Sequence, residues 1–78
     1  MKTVKVCLDS IDKVKDFVRT LTLFDSDFDM RSGRYTIDAK SILGIFSLDL
    51  SKPIDLDIYD EAGEAEILEA LRPFLLEE

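Results

Sequence analysis

The sequence predicts an α+β fold in which a four-stranded antiparallel sheet carries three helices on one face. Segments with apolar residues at every second position are interspersed with segments whose apolar residues recur every three or four positions, in the order βαββαβα. Each strand segment is apolar on one side only, which is typical of an antiparallel sheet with one solvated face. The 78 residues leave room for a single domain, which we expect to span residues 1–78.

The N-terminal part of the chain predicts a strand followed by a helix. The strand covers about residues 2–8, where apolar and polar side chains alternate. Its apolar positions are Val4, Val6 and Leu8. A stripe at helical spacing follows and is expected to pack on the sheet; it consists of Ile11, Val14, Phe17, Val18 and Leu21. Either Asp9 or Ser10 is expected to be the N-cap of this helix, since short polar side chains accept hydrogen bonds from its free amides.

A β-hairpin and a short helix are predicted in the middle of the chain. Apolar residues alternate with polar ones on both sides of a Ser32-Gly33 turn. The apolar positions are Phe28 and Met30 before the turn and Tyr35 and Ile37 after it. Ser41 then offers an N-cap for a helix of about two turns within residues 40–48.

A fourth strand and a last helix complete the predicted fold. Residues 54–58 alternate between apolar side chains and aspartates, which indicates a half-buried strand. Residues 64–76 carry a helical stripe made of Ile67, Leu68, Leu71, Phe74 and Leu75. Pro73 is expected to kink or shorten this helix, because proline lacks the backbone N–H that a helix needs.

The charge distribution argues against two classes of partner. The net charge is −7 at neutral pH. Residues 1–40 hold eight basic against seven acidic residues, whereas residues 41–78 hold two against ten. Nucleic acid and anionic membrane are therefore not expected as partners, because both require clustered lysine and arginine. No apolar stretch of signal-peptide length follows the N-terminal charges, so a cytoplasmic location is expected.

Two acidic patterns resemble sites of other proteins. Residues 25–29 resemble the start of a calcium loop, but Met30 and Thr36 occupy the positions that need glycine and glutamate, so strand alternation explains the run better. Asp55 and Asp57 share a strand face and could place two carboxylates together. A solvated pair beside cross-strand cations is the alternative. The candidate cations are Lys5, Arg31 and Arg34. Phosphate-binding glycine loops and zinc-ligand spacings are absent from the sequence, so no metal and no cofactor is predicted.

Residues 38–48 read Asp-Ala-Lys-Ser-Ile-Leu-Gly-Ile-Phe-Ser-Leu. This segment resembles the regulatory-serine segment of HPr, the phosphocarrier of the bacterial sugar phosphotransferase system. The resemblance combines Lys-Ser at a helix start, a glycine three residues after the serine, a Ser-Leu ending and the same order of elements over all 78 residues. It implies the open-faced β-sandwich of that family and a bacterial origin.

The chain departs from HPr at the active site. In HPr, a histidine at the start of the first helix accepts the phosphoryl group. This chain has no histidine, and the corresponding residues 9–14 read Asp-Ser-Ile-Asp-Lys-Val. Phosphoryl relay needs an imidazole of near-neutral pKa beside a helix N-terminus. Asp12 would form a different acyl phosphate and Lys13 would be protonated at pH 7, so we expect neither a histidine phosphocarrier nor an enzyme.

The resemblance leaves two candidate features on the second helix. In HPr of Gram-positive bacteria, an ATP-dependent kinase phosphorylates the serine that matches Ser41; a purely structural role of Ser41 as a helix cap is the alternative. The outward positions of the same helix contact the partners of HPr. In this chain they would be Lys40, Ile42, Leu43 and Phe46. Ile45 and Leu48 would point into the core instead.

The sequence therefore predicts a non-catalytic HPr-like adaptor or regulator related to the sugar phosphotransferase system. The implied partners are HPr kinase, transcription regulators or other proteins of that system, and the oligomeric state stays open. The alternative is an HPr-like fold used outside the system as a structural or binding subunit. Such a subunit could hold a small cation on the acidic sheet face of Asp29, Asp55 and Asp57.

Overall fold

The structure is a computed structural model of the chain and describes residues 1–76. Four strands, named β1 to β4 in chain order, cover Lys2–Val6, Phe28–Ser32, Tyr35–Asp38 and Ile54–Ile58. Three α-helices, named α1 to α3, cover Ile11–Leu21, Ile42–Phe46 and Glu64–Leu71, and a 3₁₀ turn follows at Arg72–Phe74. This order confirms the predicted βαββαβα arrangement.

The strands form one antiparallel sheet in the order β1-β4-β2-β3. The register places Leu56 of β4 opposite Val4 of β1 and opposite Met30 of β2. These three apolar side chains therefore lie side by side on one face of the sheet. All three helices cover that face, which confirms the predicted α+β class with one solvated sheet face.

The core lies between the sheet and the helices. Its fully buried side chains come from both layers and include Leu8, Phe17, Leu21, Phe28, Met30, Ile45, Ile54, Leu56, Ile58, Ile67 and Leu71. Phe17 of α1 and Phe74 of the 3₁₀ turn meet edge to face, with ring centroids 5.5 Å apart. Each buried side chain of this size contributes about 1.5–3 kcal/mol, so core packing rather than helix propensity holds the short helices.

Two element boundaries reflect backbone pairing near the C-terminus. β1 ends at Val6, two residues earlier than predicted, because the next N–H, that of Cys7, donates to the Phe74 carbonyl at 2.8 Å instead of continuing the pairing with β4. α3 ends at Leu71 and is followed by the 3₁₀ turn that contains Pro73. The expected shortening of the last helix by Pro73 is thus confirmed.

Local signals determine where α1 and the hairpin begin. Ser10 is the N-cap of α1, and its Oγ accepts a hydrogen bond from the Lys13 N–H at 3.1 Å. Ile11 is 62% exposed, so its expected place in the buried stripe is wrong; it lies at the free end of the helix. The hairpin turn is Gly33-Arg34, one residue later than predicted. Gly33 has a φ of +60°, which a two-residue turn with glycine in first place requires.

Candidate functional site

Ser41 begins α2 and holds its first turn. Its backbone is extended, and its Oγ accepts a hydrogen bond from the Gly44 N–H at 3.1 Å. The Ser41 N–H donates to the Asp38 carbonyl at 3.0 Å. The side-chain bond satisfies an amide that the helix leaves free, so the predicted cap is confirmed. α2 has five residues instead of the two turns predicted, which makes it dependent on this cap.

Gly44 allows the close approach of the Ser41 hydroxyl. A β-carbon added at Gly44 would lie 3.1 Å from Ser41 Oγ and 3.2 Å from Cδ1 of Ile37 on β3. Both distances are shorter than ordinary van der Waals contact, so a larger residue would push one of these groups aside. The glycine three residues after the serine therefore has a packing explanation.

The other residues of α2 divide between the core and solvent. Ile45 is fully buried and Leu48, just after the helix, is nearly so, which confirms their inward orientation. Leu43 is 82% exposed and Phe46 is 40% exposed, while Ile42 is half-buried against the core. We call Ile42, Leu43 and Phe46 the α2 surface, because together they present apolar side chains to water on one side of the molecule.

Lys40 makes contacts inside the protein beside this surface. Its Nζ donates a hydrogen bond to the Phe24 carbonyl at 2.7 Å and lies 5.5 Å from the centroid of the Phe28 ring. Its N–H donates to Asp38 Oδ1 at 2.9 Å. No sequence pattern predicts the contact with Phe24, because that residue lies 16 positions away and belongs to a loop.

The start of α1 offers a helix N-terminus without an imidazole. The Ser10 hydroxyl caps the helix, and the Lys13 ammonium lies 3.3 Å from Asp9 Oδ1. Asp12 is an exposed acid of the first turn. The chain has no histidine at this position or elsewhere. The residues present therefore support helix capping and a surface ion pair, not transfer of a phosphoryl group through histidine.

The solvated face of the sheet carries paired charges. The Arg31 guanidinium donates to both carboxylate oxygens of Asp57, at 2.7 and 3.0 Å, and the Thr3 hydroxyl donates to Asp57 at 2.7 Å. Lys5 Nζ lies 2.9 Å from Asp55 Oδ1. Lys5 and Arg31 thus act as the cross-strand partners expected from the sequence.

Asp57 is buried, although the alternation of β4 predicts it on the solvated side. Only 3% of the residue is exposed, because Arg31 and Thr3 cover it. The hydrogen bonds from Arg31 lower the pKa of the Asp57 carboxyl below its ordinary value of 3.8; burial opposes this shift and Thr3 adds to it. Arg34, the third cation expected here, lies in the hairpin turn. Asp57 is therefore the buried counterion of Arg31 on this face of the sheet.

The acidic side chains of the sheet do not converge on a metal site. Among residues 1–76, no group of three or more acidic or cysteine side chains could hold a metal ion. Asp29 accepts a hydrogen bond from the Tyr59 hydroxyl at 3.1 Å, and Asp55 and Asp57 have the partners described above. β2 begins at Phe28, so the calcium-like run is split between a loop and a strand. The cation-binding alternative gains no support from this face.

Two further features of the described residues bear on function. A groove of about 290 Å³ lies at the outer edge of β1 and is lined by Thr3, Val4, Lys5, Leu75 and Leu76. It therefore contains none of the α2 residues. Within residues 1–76, the helices are too short and too polar for any of them to cross a bilayer.

The fold and the short helix together define a class of protein. A four-stranded antiparallel sheet covered on one face by three helices, with a serine-capped helix that exposes apolar side chains, is the open-faced β-sandwich of phosphocarrier proteins. A family model described as "PTS HPr component phosphorylation site" matches residues 13–77, and the chain belongs to the HPr family. Proteins of this family interact with other phosphotransferase-system proteins or with regulators.

Solved structures of family members have the same fold. HPr-C-His from Thermoanaerobacter tengcongensis is 28% identical with a TM-score of 0.76, over 94% of this chain and 89% of that chain. The phosphocarrier protein HPr from Bacillus anthracis is 28% identical with a TM-score of 0.71, and the match covers 96% of this chain and 94% of that chain. Crh, the catabolite repression containing protein of Bacillus subtilis, is 26% identical with a TM-score of 0.64, over 95% and 90%; its structure is described as an intertwined dimer with a swapping domain. The membership of the HPr family and the fold expected from the sequence are thus confirmed.

Proposed function

We propose that this protein is a non-catalytic, cytoplasmic adaptor or regulator of the HPr family that binds protein partners through the α2 surface. The observation that carries this proposal is the division of α2, in which Ile45 anchors the helix in the core while Leu43 and Phe46 face water. Exposed apolar area on a small domain favours a partner site. The net charge of −7 makes a protein partner more favourable than nucleic acid or anionic membrane.

The chemistry at the start of α1 supports a role other than phosphoryl relay. A relay group must accept a phosphoryl group and release it again, which the imidazole of HPr does near neutral pH. This chain has no imidazole, and Ser10 and Lys13 are engaged in the cap and an ion pair with Asp9. Without a relay group at the start of α1, the function that we propose for this fold is regulation through binding to other proteins.

Ser41 is the proposed point of regulation. A kinase would join the Ser41 oxygen to the γ-phosphorus of ATP, break the bond between that phosphorus and ADP, and take the hydroxyl proton onto a base of its own. The added negative charge would lie at the first turn of α2, where free helix amides favour an anion. Leu43 is two residues away, so the same charge would change the electrostatic potential that a partner of the α2 surface meets.

Incubation with HPr kinase and ATP tests this proposal. We expect one phosphate per molecule, located at Ser41 by mass spectrometry and absent from the Ser41→Ala variant. Ser47→Ala is the matched control, because Ser47 lies at the other end of α2 and its hydroxyl donates to the Gly44 carbonyl. This control should be labelled like the wild type. A kinase that phosphorylates genuine HPr but leaves this protein unlabelled would contradict the regulatory role of Ser41.

A further inference from the structure

The ammonium group of Lys40 is bound within the protein instead of extending into solvent. It donates to the Phe24 carbonyl at 2.7 Å and lies 5.5 Å from the centroid of the Phe28 ring. Phe24 follows the last turn of α1, where its N–H donates to the Leu21 carbonyl at 3.1 Å. The Phe24 carbonyl lies in the loop beyond Thr22, the C-cap of α1, and a backbone carbonyl outside helices and strands needs a donor from elsewhere, which Lys40 supplies.

Lys40 therefore connects the start of α2 to the loop that follows α1. Its own N–H donates to Asp38 Oδ1 at 2.9 Å, and the N–H of the next residue, Ser41, donates to the Asp38 carbonyl at 3.0 Å. A helix of five residues has little stability of its own. Its direction must then depend on these contacts at its start and on the buried Ile45.

We propose that Lys40 is a positioning residue of the α2 surface. The hydrogen bond from Lys40 to the Phe24 carbonyl sets the direction in which Leu43 and Phe46 face. The partner makes no direct ionic contact with the ammonium group of Lys40. The link to partner binding rests on the function proposed above, whereas the positioning of α2 does not. Lys40→Met keeps a side chain of similar length but loses the donor, and Lys40→Arg keeps a cationic donor.

Amide hydrogen exchange measures the positioning role without any partner. The Gly44 and Ile45 amides donate hydrogen bonds to Ser41, to its Oγ and its carbonyl respectively. In Lys40→Met these two amides should exchange about fivefold to tenfold faster than in the wild type. In Lys40→Arg they should exchange at the wild-type rate. The amides of β4 should change much less, which separates a local effect on α2 from a general loss of stability. Unchanged exchange in α2, or an equal acceleration throughout the protein, would overturn the proposal.

The salt dependence of binding to HPr kinase tests whether the partner makes a direct ionic contact with Lys40. A lysine in contact with a partner acid contributes mainly at low ionic strength. For a positioning residue, Lys40→Met should weaken binding by the same factor at low and high salt, and Lys40→Arg should restore it. A loss confined to low salt would overturn the proposal. If the kinase does not bind the wild type, the proposed function fails, and the exchange measurement still decides the role of Lys40.

Discussion

Asp57 shows how a residue on the helix-free face of a sheet can still be buried. Alternation along β4 assigns it to the solvated face, yet it is 3% exposed and accepts three hydrogen bonds, two from Arg31 and one from Thr3. These bonds join β1, β4 and β2 on the side of the sheet that the helices do not cover. A charge-assisted bond of this kind stabilises a fold more than a neutral one.

Replacement of Asp57 by asparagine should therefore destabilise the protein. Asp57→Asn keeps the size of the side chain but removes the charge that Arg31 binds. The free energy of unfolding at pH 7 should fall by about 1–2 kcal/mol, a figure that already allows for the partial exposure of Arg31. Asp55→Asn is the matched control. The side chains of Asp55 and Lys5 are 32% and 53% exposed, so this change should stay within about 0.5 kcal/mol. Urea unfolding measures both variants, and equal losses would contradict this interpretation.

The effect of Asp57 on stability should depend on pH in a defined direction. In the folded protein, Arg31 lowers the pKa of Asp57 below the ordinary value of 3.8. The stabilisation is then complete above that value and is lost as the pH falls through the folded pKa. The difference between wild type and Asp57→Asn should be constant from about pH 5 to 8 and shrink in more acidic solution. A difference that grows with acid would show that the shift has the opposite sign.

Among the elements, α2 depends most on its cap. Ser41→Ala removes the acceptor for the Gly44 N–H and should lower the free energy of unfolding by about 1 kcal/mol, while Ser41→Asp keeps an acceptor and should be nearly neutral. Ser10→Ala removes the corresponding cap of α1 and provides a comparison of similar chemistry. Thermal unfolding measures all three variants. A Ser41→Ala protein as stable as the wild type would show that other contacts hold α2.

The two sides of α2 should respond differently to a charge. Leu43→Asp places the charge at an 82% exposed position and should change stability by no more than about 0.5 kcal/mol, but it should abolish binding to HPr kinase. Ile45→Asp buries an unpaired charge and should unfold much of the protein. Phe46→Asp, at a 40% exposed position, should lie between them in stability. If folded Leu43→Asp protein binds the kinase as tightly as the wild type, the partner surface lies elsewhere.

For the whole molecule, periodicity predicts the order of elements and the buried side of each one. Alternation does not tell which strands are neighbours, so the position of β4 between β1 and β2 follows only from tertiary packing. Ser41 and the orientation of Ile45 are predictable because they belong to one contiguous segment. Lys40 contacts Phe24, and Asp57 is buried by Arg31, although the members of each pair lie far apart in the chain. No local sequence pattern predicts either feature.

The protein keeps the HPr fold while lacking a histidine acceptor, and one phosphoryl-transfer measurement tests this combination most directly. The purified protein is incubated with phosphoenolpyruvate and enzyme I of the sugar phosphotransferase system, and genuine HPr is the positive control. The mass of the intact protein is recorded before and after acid treatment. HPr should gain an acid-labile phosphate, whereas this protein should gain none, because its chain has no imidazole to receive the phosphoryl group. Stoichiometric acid-labile phosphate on this protein would show that another residue has taken over the relay.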